Sequence, residues 1–397
     1  MIPDLPAFTP ESLGHHISGL GRRLAVACYA NSQARVATYL PLARAIARAG
    51  HASFLLLAPE INSSRNLQPR DLRDYTQIEG FVIGTLEGSH IPNVEGVDVF
   101  FSSEALDTSP RGCRAVRLIH SLPDGSLSIN YVARILRQPH LARTTDYLAI
   151  PIRQSTRAWN VGNYLGRLAG PSPALEPGRR SQLDIVPAGY PKIEYLADEI
   201  PVDSPRRNLI FCPTATTVAH SRVCTHGIAI LRALVENFPD HRVIFRPYPK
   251  SNEPDFAALL EAFRDEPRFI HDRTLSGLDY FREAAVAVTD RSSAAVSFSM
   301  ATGRPSVFFQ DGETAQTAVD DPIGYRVSSV GQLVASVRHA IGHSHEWRTR
   351  ILRERGQYLY RPGGASDYLA QKIPVFASGG TDADWLSIPR DQIHSPS

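Results

Sequence analysis

Two apolar segments on either side of a helical segment constrain the fold of this chain more than any other feature of its sequence. Leu24–Tyr29 is a short apolar run typical of a buried strand, and Ala52–Ala58 is a second one. Between them apolar residues recur at helical spacing, after Asn31 and Ser32, which can cap a helix, and before Gly50, which can end it. Such a β-α-β unit predicts a parallel sheet that is covered on both faces.

The same alternation continues along the chain and restarts after a break. Further predicted strands of the first half are Gly80–Ile83, Val97–Phe101, Ala115–Ile119 and Tyr147–Ile150. Residues 165–181, rich in Pro and Gly, predict a linker. Predicted strands of the second half are Asn208–Cys212, Arg242–Arg246, Ala285–Thr289 and Ser306–Phe309. Its predicted helices are Val223–Phe238, Phe256–Phe263, Ala294–Ala301, Gln332–Ile341 and His345–Gly356.

These elements predict two α/β domains, which also suits a length of 397 residues. We expect an N-terminal domain over residues 1–170, a C-terminal domain over 180–375 and a polar tail over 376–397. Ligands bind open α/β sheets at the carboxyl ends of their strands, so two such domains predict a cleft between two sets of strand ends. A donor on one domain and an acceptor on the other is the natural use of that cleft.

Composition narrows the class of partner. The net charge of +2 gives no reason to expect a nucleic acid. The four cysteines are widely spaced, and none pairs at metal-ligand spacing, so no metal is expected. Cys28 and Cys212 fall in strand-like runs and predict buried thiols in a reducing, cytoplasmic compartment. The first residues do not predict a signal peptide and no apolar stretch reaches about 20 residues, so we expect no membrane span and, at most, peripheral association with a membrane.

A strand-to-helix turn in the second half carries the strongest candidate for an anion site. Asp290, Ser292 and Ser293 follow a predicted strand and can cap the helix that comes next, whose free amides would attract a phosphate. Arg291 adds a positive charge. The alternative is an ordinary turn with a good cap.

Two other strand ends of the same domain carry candidate donor contacts. Arg246, Tyr248 and Lys250 alternate with prolines that stiffen the backbone, and Arg and Lys suit phosphates. The alternative is a Pro-rich turn with solvated charges. Pro213, Thr214 and Thr216 follow another strand, where the hydroxyl groups could contact a donor phosphate or cap the next helix.

A histidine in the first half is the candidate general base. His120 lies at a strand end before a turn, from where it could deprotonate an acceptor hydroxyl, and Asp124 could orient it or contact the acceptor. A lone histidine is more often structural, and that alternative stays open.

Taken together, these segments resemble the CDP-glycerol glycerophosphotransferase family. The similarity covers roughly residues 95–375, and it rests on the order of short motifs. They are His120-Ser121 (family "HG"), Gly189–Pro191 ("GYPR"), Phe211–Thr214 ("YAPTW"), Thr289–Phe298 ("TDYSS") leading into Gly303–Phe309 ("G[KR]P"), and Tyr360–Leu369 ("Y.DGKAS").

The resemblance implies two Rossmann-like doubly wound domains facing a cleft, the glycosyltransferase-B type. It implies a transferase of surface-polysaccharide synthesis with a cytidine-nucleotide donor as substrate and no separate cofactor. The donor phosphates would meet Ser292, Ser293, Arg246 and Lys250, and His120 would act on a saccharide or lipid-linked acceptor. Such an acceptor would place the enzyme at the inner face of the membrane.

Two departures from the family keep other functions open. Tyr248 stands where the family has a histidine, and a phenol with a pKa near 10 is a poor proton shuttle at neutral pH. Ser121 replaces the glycine after the catalytic histidine. The alternatives are a transferase that uses a CMP-activated acid sugar such as Kdo, a UDP-sugar transferase or epimerase, and a nucleotide-binding relative without activity.

Overall fold

The chain forms two compact units. The computed structural model describes residues 5–20, 23–31, 33–59, 79–87, 91–103, 106, 108–119, 122, 143–153, 175, 177–199, 206–217, 221–248, 251–274, 278–290, 292–310 and 319–390. The first unit comprises Met1–Tyr195 together with Tyr358–Ser397, and the second comprises Leu196–Gln357.

The first unit is built on a sheet of nine strands within the described residues. The strands are β1 (Ala7–Phe8), β2 (Ala25–Ala30), β3 (Ala52–Leu57), β4 (Phe81–Leu86), β5 (Val99–Ser103), β6 (Arg114–Leu118), β7 (Tyr147–Ile150), β8 (Gln182–Pro187) and β16 (Leu386–Pro389). Their order is β1-β4-β3-β2-β5-β6-β7-β8-β16. The pairs from β1 to β8 are parallel, and β16 joins β8 antiparallel.

The β-α-β unit predicted near the amino terminus is present. All residues of β2 and β3 are buried, which is expected of parallel strands covered on both faces. Helix α2 (Gln33–Arg48) connects them, following α1 (Pro10–Ser18), which Thr9 caps with its side chain. The predicted strands at the next four positions are also confirmed, each within a few residues of its predicted bounds.

The carboxyl-terminal residues return to the first unit, which corrects the predicted domain boundaries. Helix α10 (Ala365–Gln371) packs on α2, α11 (Ile373–Ser378) packs on β5 and β6, and β16 extends the sheet. Residues 180–195 and 358–375, predicted in the second domain, therefore belong to the first. The residues after 376 contribute a strand and are more than a surface tail. Most of the predicted linker lies outside the described residues.

The second unit has a sheet of seven strands within the described residues. The strands are β9 (Asn208–Phe211), β10 (Arg242–Phe245), β11 (Phe269–His271), β12 (Ala284–Thr289), β13 (Ser306–Phe309), β14 (Val319–Asp321) and β15 (Gly324–Val327). Their order is β11-β10-β9-β12-β13-β15-β14, and the pairs from β11 to β15 are parallel. The carboxyl ends of these six strands therefore lie at one edge of the sheet.

Helices connect and cover this second sheet. They are α4 (Val223–Asn237), α5 (Ala257–Ala262), α6 (Leu278–Arg282), α7 (Ser293–Thr302), α8 (Val330–Gly342) and α9 (Ser344–Tyr358). Helix α3 (Pro191–Glu199) spans the boundary at which the chain leaves the first unit. Seven residues of α7 are buried, and β12 is buried throughout, so this helix and strand form the centre of the unit. The alternation of strands and helices predicted for this half is confirmed.

Three further properties of the described residues bear on function. No helix among them is both long enough and apolar enough to cross a bilayer. None of their His, Cys, Asp and Glu side chains gather in groups of three or more that could hold a metal ion. Cys28 and Cys212 are buried thiols, as predicted.

Candidate functional site

Three loops meet at the carboxyl edge of the second sheet. They follow the adjacent strands β10, β9 and β12, and they begin at Arg246, Cys212 and Asp290. This is the edge where open parallel sheets bind their ligands. Those predicted contacts of the nucleotide donor that the structure describes therefore lie at one edge of the sheet, as their positions after strands require.

Asp290 fixes the loop after β9. The side chain is 1% exposed, and its carboxylate accepts hydrogen bonds from the amide of Thr214 at 2.9 Å and from the hydroxyl of the same residue at 2.9 Å. It also accepts from the amide of Arg222 at 3.0 Å, immediately before α4. We predicted that Asp290 could cap α7, but its carboxylate instead ties Thr214 and the start of α4 to the end of β12.

Thr289 and Ser292 shape the start of α7. The hydroxyl of Thr289 donates to the carbonyl of Cys212 at 2.7 Å and accepts from the amide of Ser292 at 3.2 Å. Ser292 is the N-cap of α7, and its hydroxyl accepts from the amide of Ala294 at 3.3 Å. Sequence analysis predicted the Ser292 cap but missed the role of Thr289. A hydroxyl residue at the last position of the predicted strand was the feature that could have indicated it.

The start of α7 is suited to bind an anion. Ser292 is 9% exposed and Ser293 is half-buried, so both lie close to the surface of this edge. Among the described residues, no hydrogen bond is made by the Ser293 amide, which is the first amide of the helix. An amide at this position and the positive end of the helix dipole favour a negatively charged group.

The guanidinium of Arg246 is held in place by an ion pair with Asp272. Its guanidinium forms an ion pair with Asp272 at 2.6 Å and donates to the carbonyl of Thr274 at 2.9 Å. The Asp272 side chain is fully buried, and it also accepts from the amide and hydroxyl of Thr274. Because Asp272 balances part of its charge, Arg246 offers a phosphate less net positive charge than its sequence position suggested.

The other residues predicted to contact the nucleotide donor differ in their burial and in their hydrogen bonds. The hydroxyl of Thr216 donates to Asp255 at 2.5 Å, and its amide donates to the hydroxyl of Ser251 at 3.2 Å, so this residue braces its own loop. Tyr248 is 40% exposed, which leaves its ring accessible at the same edge. Pro213 is buried beside Thr214.

Four of the predicted site residues lie outside the described residues. They are His120 and Asp124, predicted to act on the acceptor, and Lys250 and Arg291, predicted to contact donor phosphates. Their roles remain predictions.

The buried thiol nearest this edge is not a nucleophile. Burial and, to a lesser extent, the neighbouring Asp290 carboxylate raise the pKa of Cys212 to about 12, although Arg246 opposes the shift. A thiol with so high a pKa stays protonated at neutral pH and does not attack a substrate.

Two motifs that carried the family resemblance lie together in the first unit. Gly189 has a φ of +91°, and a Cβ there would lie 2.5 Å from the carbonyl oxygen of Tyr360. Glu194 accepts hydrogen bonds from the amides of Ala365 and Ser366 at the start of α10. Burial raises the pKa of Glu194, although these hydrogen bonds oppose it. These motifs therefore join the returning chain to the first unit.

Structural comparison identifies the fold. The wall teichoic acid polymerase TagF superposes with a TM-score of 0.57 at 13% identity, covering 93% of this chain and 94% of that one. A putative UDP-N-acetylglucosamine 2-epimerase from Listeria monocytogenes gives 0.56 at 12% identity, covering 91% and 98%. A UDP-GlcNAc 2-epimerase from Neisseria meningitidis, bound to UDP-GlcNAc, gives 0.55 at 10% identity, covering 88% and 100%. This chain has the glycosyltransferase-B fold.

The predicted fold class, two α/β domains of the glycosyltransferase-B type, is thereby confirmed. No family model matches the sequence. No curated protein matches it either.

Proposed function

We propose that this protein is a transferase of surface-polysaccharide synthesis that takes a glycerol phosphate, another polyol phosphate or a sugar from a cytidine-nucleotide donor. The acceptor is a saccharide or a lipid-linked chain, and the enzyme works in the cytoplasm at the inner face of the membrane. One observation carries the proposal. The amino end of α7, capped by Ser292 and braced by Thr289, opens at the carboxyl edge of the second sheet.

The chemistry that this site supports is departure of a nucleotide. The acceptor hydroxyl attacks the transferred group, the bond to the donor phosphate breaks, and negative charge grows on the departing phosphate. The Ser293 amide, already held in place at the start of α7, and the hydroxyls of Ser292 and Ser293 would stabilise that charge. Arg246 would assist with those guanidinium protons that Asp272 does not engage. Lys250 and Arg291 are the further cations of this proposal.

His120 is the proposed general base. It would take the proton of the acceptor hydroxyl as the new bond forms, and Asp124 would orient the imidazole or contact the acceptor. The proposal needs no cofactor, because the nucleotide-activated donor brings the energy of the leaving group.

The similarity to a teichoic acid polymerase supports a polyol-phosphate donor over an acid sugar. A second candidate function is a UDP-sugar enzyme, either a transferase or an epimerase. The two epimerases with this fold favour it, since both names specify UDP-N-acetylglucosamine. An epimerase would turn over its nucleotide sugar without any acceptor.

Nucleotide release separates these candidates. Purified protein would be incubated with CDP-glycerol, CMP-Kdo or UDP-GlcNAc, with and without an oligosaccharide or lipid-linked acceptor, and free nucleotide and product would be quantified. The proposal expects CMP or CDP release that depends on the acceptor and falls by about 100-fold or more in His120→Ala. His345→Ala, a substitution at an exposed histidine, serves as control. Conversion of UDP-GlcNAc without acceptor would reject the proposal in favour of the epimerase.

A further inference from the structure

Four arginine side chains gather at the amino-terminal edge of the second sheet. Arg206 and Arg304 lie two residues before β9 and β13, and Arg348 and Arg355 lie on α9. A spacing of seven residues puts the last two on one face of the helix. We call these four residues the arginine cluster. The cluster lies at the opposite edge from the start of α7, about 17 Å away by the length of the six-residue strand β12.

Arg304 is the buried centre of the cluster. The residue is 2% exposed, and its Nη1 donates to the carbonyls of Arg282 at 2.7 Å and Ala284 at 2.8 Å. Its Nη2 is buried and has no hydrogen-bond partner among the described residues. A buried hydrogen-bond donor without a partner costs free energy. We therefore expect a bound group to supply the acceptor for Arg304 Nη2.

Arg348 and Arg355 approach the same turn from α9. The Cγ of Arg348 lies 2.9 Å from the point where a Cβ on Gly303 would be, so this side chain packs on the turn that leads into Arg304. The Nε of Arg348 is also buried and unpartnered within the described part of the chain. Arg355 donates to the carbonyl of Met300, in the last turn of α7, at 3.2 Å. Arg304, Arg348 and Arg355 thus lie around the carboxyl end of α7.

The arginines act on one another rather than on acids. Burial, together with the charges of Arg206 and Arg348, lowers the pKa of Arg304 to about 10. Burial also lowers the pKa values of Arg206 and Arg355, and Arg348 contributes to both shifts. None of the four forms an ion pair with a carboxylate of the described residues.

Helix ends account for only part of this arrangement. The carboxyl ends of α6 and α7 carry partial negative charge, which stabilises the guanidinium groups that donate to their carbonyls. None of these carbonyls accepts a hydrogen bond from Arg304 Nη2 or Arg348 Nε. Four like charges at a partly buried position call for a compensating anion.

We propose that the arginine cluster is a binding site for a phosphate group, separate from the donor site. Guanidinium groups bind phosphate through paired N–H donors in a fixed plane, and a tetrahedral oxyanion can accept from several at once. The occupant is either free phosphate or the phosphate of an organic ester. The inference does not depend on the proposed transferase activity.

Arg348→Gln tests the site without disturbing the fold. Within the described residues this side chain makes neither a hydrogen bond nor an ion pair, so without phosphate the variant should be at least as stable as the native protein. Arg353→Gln is the matched control, because it removes the same charge from an exposed position of the same helix. Thermal unfolding would be followed against inorganic phosphate at constant ionic strength, with chloride as the balancing ion.

The native protein and Arg353→Gln should gain melting temperature with phosphate, and Arg348→Gln should show an apparent Kd weakened by about tenfold or more. The response of Arg348→Gln to nucleotides should stay native, which separates this site from the donor site. A parallel titration with glycerol 3-phosphate identifies the source, since a stronger response than to inorganic phosphate indicates an organic ester. No phosphate effect beyond that of chloride, or an equal effect in Arg348→Gln, overturns the proposal.

Discussion

At the scale of single residues, Asp290 shows how a side chain at a ligand-binding edge can serve the protein rather than the ligand. Its position after a strand and before a helix predicted that its carboxylate caps that helix within a phosphate site. Its carboxylate is instead occupied by donors from Thr214 and Arg222, which lie 76 and 68 positions away in the chain. Sequence alone could place Asp290 at this edge and predict the Ser292 cap, which is local. It could not identify partners so distant along the chain.

The occupied carboxylate leads to a prediction about stability. Asp290→Ala leaves two amides and a hydroxyl without their buried acceptor, so we expect a loss of about 2–4 kcal/mol in the free energy of unfolding. Urea denaturation measures it, with Asp265→Ala as a control at an exposed aspartate. A variant that keeps full stability while losing nucleotide binding would contradict this bracing role and assign Asp290 to direct contact.

At the scale of elements, the helices and strands with strong patterns were predictable and those that depend on distant partners were not. The β-α-β unit follows from local apolar patterns, and Ser306–Phe309 was predicted at its observed bounds. Strand β16 was missed because its residues alternate only briefly and the surrounding segment is polar. Strand β16 forms by pairing with the edge of β8. Because β8 lies about half the chain length earlier, the local sequence does not reveal this pairing.

The capping of α10 by Glu194 leads to a prediction about pH. Burial raises the pKa of this carboxyl above its ordinary value of 4.5, so the folded state binds the proton more tightly than the unfolded state. Its contribution to stability is therefore fully present below about pH 4.5 and is lost as the pH rises through the folded pKa.

Glu194→Gln removes this titration. The stability of the native protein relative to Glu194→Gln should therefore fall in urea denaturation as the pH rises above the ordinary carboxyl pKa of 4.5. Glu95→Gln, at an exposed position of the same unit, should show a flat difference. A rise in the relative stability of the native protein with pH would show that the hydrogen bonds to α10, and not burial, determine the direction of the Glu194 pKa shift.

At the scale of the whole molecule, the chain leaves the first unit after residue 195 and returns to it at residue 358. The return completes the sheet and its aromatic core. Trp385 is 7% exposed, stacks on Phe376 at 5.2 Å between ring centroids and donates from its indole nitrogen to the hydroxyl of Tyr368 at 2.7 Å. A fold made this way cannot be split into consecutive domains, which is why boundaries inferred from composition along the chain were wrong at the carboxyl end.

The aromatic contacts of Trp385 predict that its substitution has a large effect on the free energy of unfolding. Trp385→Ala should lower the free energy of unfolding by about 3–5 kcal/mol, because it leaves a cavity beside Phe376 and Tyr147. Trp385→Phe keeps most of the buried ring and should lose distinctly less. Urea denaturation of both variants checks the effect. A loss below about 1 kcal/mol for the alanine variant would mean that the final residues only rest on the surface.

Variants of Ser292 test whether the second unit binds the phosphates of a nucleotide at the start of α7. Ser292→Asp keeps an N-cap of comparable quality but puts a carboxylate where the phosphate would lie, whereas Ser292→Asn keeps the cap and stays neutral. Isothermal titration calorimetry with CDP, CMP, UDP and GDP would compare both variants with the native protein.

We predict that CDP or CMP binds the native protein more tightly than UDP or GDP, that Ser292→Asn retains most of this affinity, and that Ser292→Asp loses about tenfold or more through charge repulsion. Unaltered binding in Ser292→Asp, or no binding of any nucleotide to the native protein, would contradict the account. The start of α7 would then be an ordinary capped helix.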